Sequence, residues 1–425
     1  MKNESDLNKI EVTLLEIGKN ARGAARIMAK LDSNQKNELL IKMSKALLNR
    51  QSEILSANRI DVENGERSNL SAGLIDRLLL TESRIKQMAL SIEEISKADD
   101  PVGLLGEMKK RPNNLLVGKM QVPLGVVGLI YESRPNVTSD ATALCLKSGN
   151  AIILKGGKEA FHSNQIIAKI LSDATKGSLA PETSVQLIPF TEREATLAML
   201  KLDKYIDIIM PRGSYEFIEF VSKNSSIPMV KHDRGLCHLY IASSADVKMA
   251  ESIVVNSKTD RPSVCNALET LLVNEEFARR HLKGIIDPLL AKGVRVKGCK
   301  RSLEIIPTLE PAVDSDFDQE WLDMILSLKI VKDTDEAIKH IATHGSLHTE
   351  SIVTESHAEA FKFLKEVDSS VVLVNASTRF NDGSELGLGA EVGISTQKLH
   401  CRGPMGITDL TSKKWIVFGD GQIRG

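Results

Sequence analysis

A thiolate is a strong nucleophile near neutral pH, so the five cysteines, Cys145, Cys237, Cys265, Cys299 and Cys401, come first. Cys145 lies in ATALCLKSGN among apolar residues, where a free cysteine behaves as a small hydrophobe. Cys237, Cys299 and Cys401 read the same way. Cys265 differs. It sits in SKTDRPSVCNALE, polar before the sulfur and helix-like or strand-leading after it. Arg261 is close in sequence, and Pro262 suits a helix start. A cation and a helix N-terminus each stabilise a thiolate. A reactive nucleophile is therefore one reading of Cys265, and an inert structural thiol is the other.

Two glycine turns could hold phosphate. In AIILKGGKEA an apolar run ends in Lys155, Gly156 and Gly157 follow, and Lys158 opens a helical pattern. In MPRGSYEFI, Gly213 and Ser214 stand at a second such junction. A glycine turn that opens a helix presents N–H groups to an anion, and lysines add charge. Neither stretch is a Walker loop or a G-x-G-x-x-G fingerprint. VPLGVVGLIYESRPN carries glycines that close packing explains equally well. His340, His344 and His348 recur at four-residue steps, a spacing that can bind metal. Gly345 and Ser346 should end the helix before His348, and no cysteine or acid completes a ligand set. No metal site is read.

These residues need elements to position them. Leu7, Ile10, Leu14, Ile17, Ala21, Ala24 and Met28 share one helical face, and Ser33 and Thr81 could cap further helices before residue 100. Beyond about residue 115 strand-like and helix-like runs alternate: Val126–Tyr131, Ala141–Lys147, Ala151–Leu154, Gln165–Leu171, Val185–Ile188, Ile206–Met210, Tyr215–Val221 and Leu239–Ala242. Glu269–Val273, Ile325–Val331, Ser351–Thr354 and Val371–Asn375 continue the series, with a helix over Thr334–Ile341. This is the pattern of α/β sheets covered on both faces. Ligands bind such sheets beyond the carboxyl ends of strands, here the turns Tyr131–Asn136, Lys155–Lys158 and Pro211–Ser214. The tail ends in a strand-like WIVFG.

Composition sets bounds. At roughly 150 residues per domain, 425 residues make two or three domains. Lys+Arg (55) balances Asp+Glu (56), so a globally basic nucleic-acid binder is not expected. Apolar runs are short, and an odd number of scattered cysteines without C-x-x-C suits a reducing compartment. The N-terminus MKNESDLNKI has no apolar core of a signal peptide. The expectation is a soluble, cytoplasmic protein with no membrane partner.

Together these segments resemble the aldehyde dehydrogenase superfamily, and within it the γ-glutamyl phosphate reductase family. VPLGVVGLIYESRPNVTSDATALCLKSGNAIILKGGKEA is similar to that family's cofactor-domain core, and RPSVCNALETLLV to its nucleophile segment. VKDTDEAIKHIATHGSLHTESI and NASTRFNDGSELGLGAEVGIST resemble two further segments. The resemblance implies an aldehyde dehydrogenase-like α/β fold: a Rossmann-type NADP-binding domain (1–110 and 125–241), an α/β catalytic domain (242–404) and a small oligomerisation element (111–124 and 405–425). Leu115–Val122 would pair with the C-terminal tail in that element, making a homo-oligomer.

The same resemblance implies site roles. Cys265 is the nucleophile, and Asn136 helps polarise the reacting carbonyl. Lys155 holds the adenosine ribose, with Gly156 and Gly157 beside it. Lys158 stands where NAD-linked relatives carry a glutamate, which favours NADPH. Gly213 and Ser214 form the second pyrophosphate turn, and Glu320 holds the nicotinamide ribose. Arg134, Arg379 and His348 are candidates for the anionic substrate. The activity implied is NADPH-dependent reduction of L-glutamyl 5-phosphate to L-glutamate 5-semialdehyde in proline biosynthesis, with the kinase that makes the acyl phosphate, glutamate 5-kinase, as a possible partner. Aldehyde oxidisers carry a glutamate before a Gly-Gly pair as base for water. VKHDRGLCHLY offers none, and Asp233 receives no role. A hydrolytic semialdehyde dehydrogenase and a catalytically dead nucleotide-binding scaffold are the alternatives.

Overall fold

Apolar residues three and four apart build the helices Glu4–Met28, Ser33–Asn49, Gln51–Arg67, Ala72–Leu78 and Glu82–Lys97 in the computed structural model, which describes residues 4–231 and 234–424. Ile10, Leu14, Ala21, Ala24 and Met28 are buried as their spacing predicts, while Leu7 is exposed. Thr81 caps the fifth helix, its hydroxyl accepting from Arg84 N at 3.2 Å. At the second helix the cap is Asp32 rather than Ser33. Its carboxylate accepts from Gln35 N (2.9 Å), and the Gln35 amide oxygen accepts from Asp32 N (3.0 Å). A reciprocal box satisfies two orphan N–H groups at once, which a serine one residue later does not match.

The chain divides into two units. The first holds Met1–Lys231, Leu388–Gly393 and Met405–Gly425; the second holds His232–Gly387 and Ile394–Pro404. In the first, four parallel strands run in the order Val185–Leu187, Ala151–Gly156, Val126–Tyr131, Ile208–Arg212. Val126–Tyr131 is buried along its whole length, as a central strand covered on both faces must be. Helices Asn136–Lys147, Phe161–Ala174 and Tyr215–Asn224 follow three of these strands. A separate antiparallel sheet pairs Leu116–Pro123 with Lys109–Lys110 on one side and Thr411–Phe418 on the other. The expected pairing of that segment with the tail is present, and it groups with the first unit.

The second unit is built on seven parallel strands, in the order Glu310–Pro311, Arg295–Gly298, Ile325–Val331, Leu268–Asn274, Cys237–Ile241, Thr349–Val353, Val371–Val374. Cys237–Ile241, assigned from sequence to the cofactor domain, hydrogen-bonds here instead. Its five residues are all buried between two neighbouring strands, and these supply the ladder on both sides. Leu239, Leu271, Phe277, Ile285, Leu326 and Leu328 form part of the core beneath the sheet. Among the described residues no helix is long and apolar enough to cross a membrane.

One long-range contact fixes the Lys155–Lys158 turn. The helix Phe161–Ala174 that follows has no side-chain cap of its own. Asp61, on Gln51–Arg67 and 2% exposed, supplies one: its carboxylate accepts from Ser163 N (2.7 Å), Ser163 Oγ (2.6 Å) and His162 N (3.1 Å). Asp61→Ala strands those donors in a buried place, and the expected cost is about 2–4 kcal/mol. A clear drop in the thermal midpoint by calorimetry checks it; an unchanged midpoint refutes it.

Candidate active site

Cys265 lies in the turn between the helix Val247–Thr259 and the strand Leu268–Asn274. Pro262 starts no helix: residues 260–267 are turn and bend, and the chain passes straight into a central strand. The sulfur's residue is part-exposed, and none of the five cysteines is in a disulfide. The turn is braced from several directions. Gly235 presses on it so closely that a Cβ there would lie 2.1 Å from the Cys265 carbonyl oxygen. Cys237 Sγ donates to the same oxygen at 3.1 Å. Burial pushes the Cys237 thiol well above its ordinary range, which keeps it protonated and able to donate. At the base of the turn Lys258 and Glu269 make a fully buried ion pair at 2.9 Å. Burial pushes the Glu269 carboxyl up and the Lys258 ammonium down, and their contact opposes both shifts.

Glu320 joins this group. Its Oε1 accepts from Gly235 N at 2.9 Å, and burial raises its pKa. Two residues on, Leu322 N donates to Glu269 Oε1 at 3.0 Å. The buried pair thus anchors both the turn of Cys265 and the loop of Glu320.

Arg379 and His348 are placed differently from the sequence expectation. Arg379 Nε donates to Asp260 Oδ2 at 3.0 Å, and its Nη1 donates to Asn266 Oδ1. His348 is wholly buried. Its Nδ1 lies 2.7 Å from Thr349 Oγ1 and 3.7 Å from Cys237 Sγ. Its side chain has no exposed surface and lies beside the Cys237 thiol. His340 is buried too, and burial with His238, Lys329 and His344 around it pushes its pKa down to about 2. His344 Nδ1 sits 2.7 Å from Asp318 Oδ1. No group of three or more potential metal ligands occurs among the described residues. Asp233 lies outside the described residues.

In the first unit the predicted turns converge. A cavity of about 400 Å³ is lined by Lys155, Gly156, Gly157, Lys158, Arg193 and Phe220, among others. Lys155 is 4% exposed, with Nζ donating to Gly156 O at 3.1 Å, and burial lowers its pKa. The Arg193 guanidinium lies 3.9 Å over the Phe220 ring. Ser214 caps the helix Tyr215–Asn224 through its hydroxyl, and its N–H donates to Glu132 Oε2 at 3.2 Å. A Cβ on Gly213 would come within 2.8 Å of Glu132 and Phe217, and one on Gly157 within 2.6 Å of Glu159. A side chain at either position would have to displace the glutamate beside it. Glu132, Glu159 and Glu216 line the cavity as well, so its three cations stand among three carboxylates, with Phe217 and Phe220 as its aromatic wall.

Asn136 opens the helix Asn136–Lys147 with its side chain exposed, Nδ2 donating to Asp140 Oδ2 at 3.1 Å. Arg134 is half-buried in the turn before it, where Ser133 takes φ +32°. Such strain in a non-glycine residue concentrates at functional turns. Sequence reasoning missed Gly235, Cys237, Asn266 and the Lys258–Glu269 pair. Strand pairing brings Gly235 and Cys237 to the turn from far away in sequence, whereas Lys258, Asn266 and Glu269 flank Cys265 within a few residues.

The aldehyde dehydrogenase family's sequence model matches residues 11–297. A γ-glutamyl phosphate reductase of Geotalea daltonii is 51% identical over 96% of this chain and 98% of its own length. That of Clostridium tetani is 49% identical over 99% of this chain and the whole of its own. The crystal structure of the reductase from Thermotoga maritima superposes with a TM-score of 0.95 at 43% identity, covering 97% of this chain and 100% of that one. An acetylating aldehyde dehydrogenase from Geobacillus thermoglucosidasius, 17% identical with a TM-score of 0.69 and full coverage of both chains, shares the fold. The chain belongs to the aldehyde dehydrogenase family, whose members use a nicotinamide cofactor, and within it to the γ-glutamyl phosphate reductases.

Proposed function

We propose that the protein reduces L-glutamyl 5-phosphate to L-glutamate 5-semialdehyde and phosphate with NADPH, a step of proline biosynthesis, through a thioester on Cys265. The observation that carries the reading is Cys265 itself. It is part-exposed in a braced turn, in a chain half identical to such reductases over nearly its full length.

The Cys265 thiolate attacks the acyl carbon. The S–C bond forms and the C–O bond to phosphate breaks, so phosphate leaves with the electron pair. The resemblance assigns Asn136 to stabilising the charge that builds on the carbonyl oxygen, the kind of term that lowers such barriers most. Arg134 supplies cationic charge for the substrate's anionic groups. A reduced nicotinamide, when bound, supplies the hydride that takes the thioester to the aldehyde level. Collapse of the resulting thiohemiacetal frees the semialdehyde and returns the Cys265 thiolate. The semialdehyde then cyclises to 1-pyrroline-5-carboxylate without help.

Lys155, Gly156, Gly157 and Lys158 are the residues we assign to the adenosine end of the cofactor, Gly213 and Ser214 to its pyrophosphate, and Glu320 to the nicotinamide ribose. Lys158 is exposed beside the cavity, and its charge favours a 2′-phosphate, hence NADP over NAD. We place the enzyme in the cytoplasm and infer a homo-oligomer, formed through the sheet that carries the exposed Trp415, Val417 and Phe418. Such an apolar surface on an edge strand calls for a partner. The kinase that makes the labile acyl phosphate is a second candidate partner.

Three outcomes are expected. Cys265→Ala abolishes turnover and leaves NADPH binding, read by nucleotide fluorescence, intact; substantial residual activity overturns the covalent route. Run backwards from semialdehyde and NADP⁺, the enzyme requires inorganic phosphate or arsenate, whereas activity without either marks a hydrolytic dehydrogenase. Light scattering at micromolar concentration reads a mass above one chain (46.6 kDa), and Trp415→Glu lowers it; a monomer in both cases removes the assembly.

A further inference from the structure

Arg379 is one of three candidates for the substrate, yet two of its guanidinium nitrogens are already engaged. Nε bonds Asp260 Oδ2 at 3.0 Å, Nη1 bonds Asn266 Oδ1, and the side chain is 17% exposed. Asp260 closes the helix before Cys265, and Asn266 follows it directly. Asn266 returns the contact, with Nδ2 donating to Asn381 O at 2.9 Å and to Arg379 O at 3.4 Å. Two residues earlier, Ser377 Oγ lies 3.0 Å from Ser257 Oγ, which also accepts from Thr378 N at 3.2 Å. Residues 377–381 thus strap the outside of the turn, and one side chain reaches both of its ends.

We propose that Arg379 is a positioning residue: its planar fork to Asp260 and Asn266 sets the orientation of the Cys265 nucleophile, and it does not hold substrate. The inference rests on the reading of Cys265 as nucleophile. Only arginine suits the task, because its N–H groups diverge in a fixed plane, whereas a lysine is a single point charge. Orientation is where the benefit falls. A reacting atom displaced by about 1 Å can lose about a hundredfold in rate, while binding of substrate through other groups is untouched.

The test uses Arg379→Ala, Arg379→Lys, Asn266→Ala and the double variant of Arg379→Ala with Asn266→Ala, assayed in reverse with semialdehyde, phosphate and NADP⁺. Each single variant should lower kcat by about 10–100-fold, with KM for semialdehyde and for phosphate within about twofold and NADP⁺ affinity by fluorescence unchanged. The lysine variant should recover little. The double variant should lose less than the two single losses multiplied together, since the two side chains share one interaction. A raised KM for semialdehyde or phosphate with kcat retained would make Arg379 a substrate ligand and overturn the inference. Additive losses, or no loss, overturn it as well. Should Arg379→Ala fail to fold, Asn266→Ala makes the same prediction from the other partner. Activity surviving in Cys265→Ala would instead sink the nucleophile assignment, a separate result.

Discussion

Position 235 tolerates no side chain, because its backbone lies against the carbonyl of Cys265. Several contacts of the second unit converge there. Gly235 is held from one side by Glu320 and continues into the strand whose first residue, Cys237, bonds the same carbonyl. Asn266 ties the other flank of the sulfur to residues 379 and 381. A turn outside regular structure gains definition from groups that each belong to a rigid strand or a buried pair, which is how a reactive atom is held to a narrow range of orientations.

The two sheets are used at opposite ends. In the first unit the glycine turns Lys155–Lys158 and Pro211–Ser214 follow the strands Ala151–Gly156 and Ile208–Arg212, so the cavity sits beyond carboxyl ends, where open α/β sheets receive ligands. In the second, Cys265, Cys237 and His348 sit at or just before the first residues of Leu268–Asn274, Cys237–Ile241 and Thr349–Val353. A cysteine placed before a central strand gains rigidity from that strand's neighbours. On the proposed role of Cys265, the general rule about carboxyl ends does not locate the site of the second sheet.

Much of this is legible in the sequence. Local spacing reveals helices such as Glu4–Met28 and buried strands such as Val126–Tyr131, because burial of one face or of both imprints directly on neighbouring residues. The Lys155 and Ser214 turns were legible for the same reason, each being a short strand–glycine–helix passage. Contacts that close over long sequence separations left no such mark. Nothing near Arg379 announces that its partners are Asp260 and Asn266, and nothing near Asp61 announces that it caps a helix at Ser163. Resemblance points to Cys265, but only the packing shows that His348 is enclosed and that Arg379 is engaged.

The first unit takes residues from both ends of the chain, and this has a consequence during synthesis. Leu116–Pro123 pairs with Thr411–Phe418, and Gln121 bonds Thr411 across a separation of 290 residues. At about 5–20 residues per second a ribosome needs roughly 15–60 s to make that stretch. Throughout that interval the flank of Leu116–Pro123 that Thr411–Phe418 later covers has no such cover on a nascent chain. A ribosome that stalls before the tail emerges therefore leaves an unfinished edge, the kind of surface that chaperones recognise and that seeds aggregation.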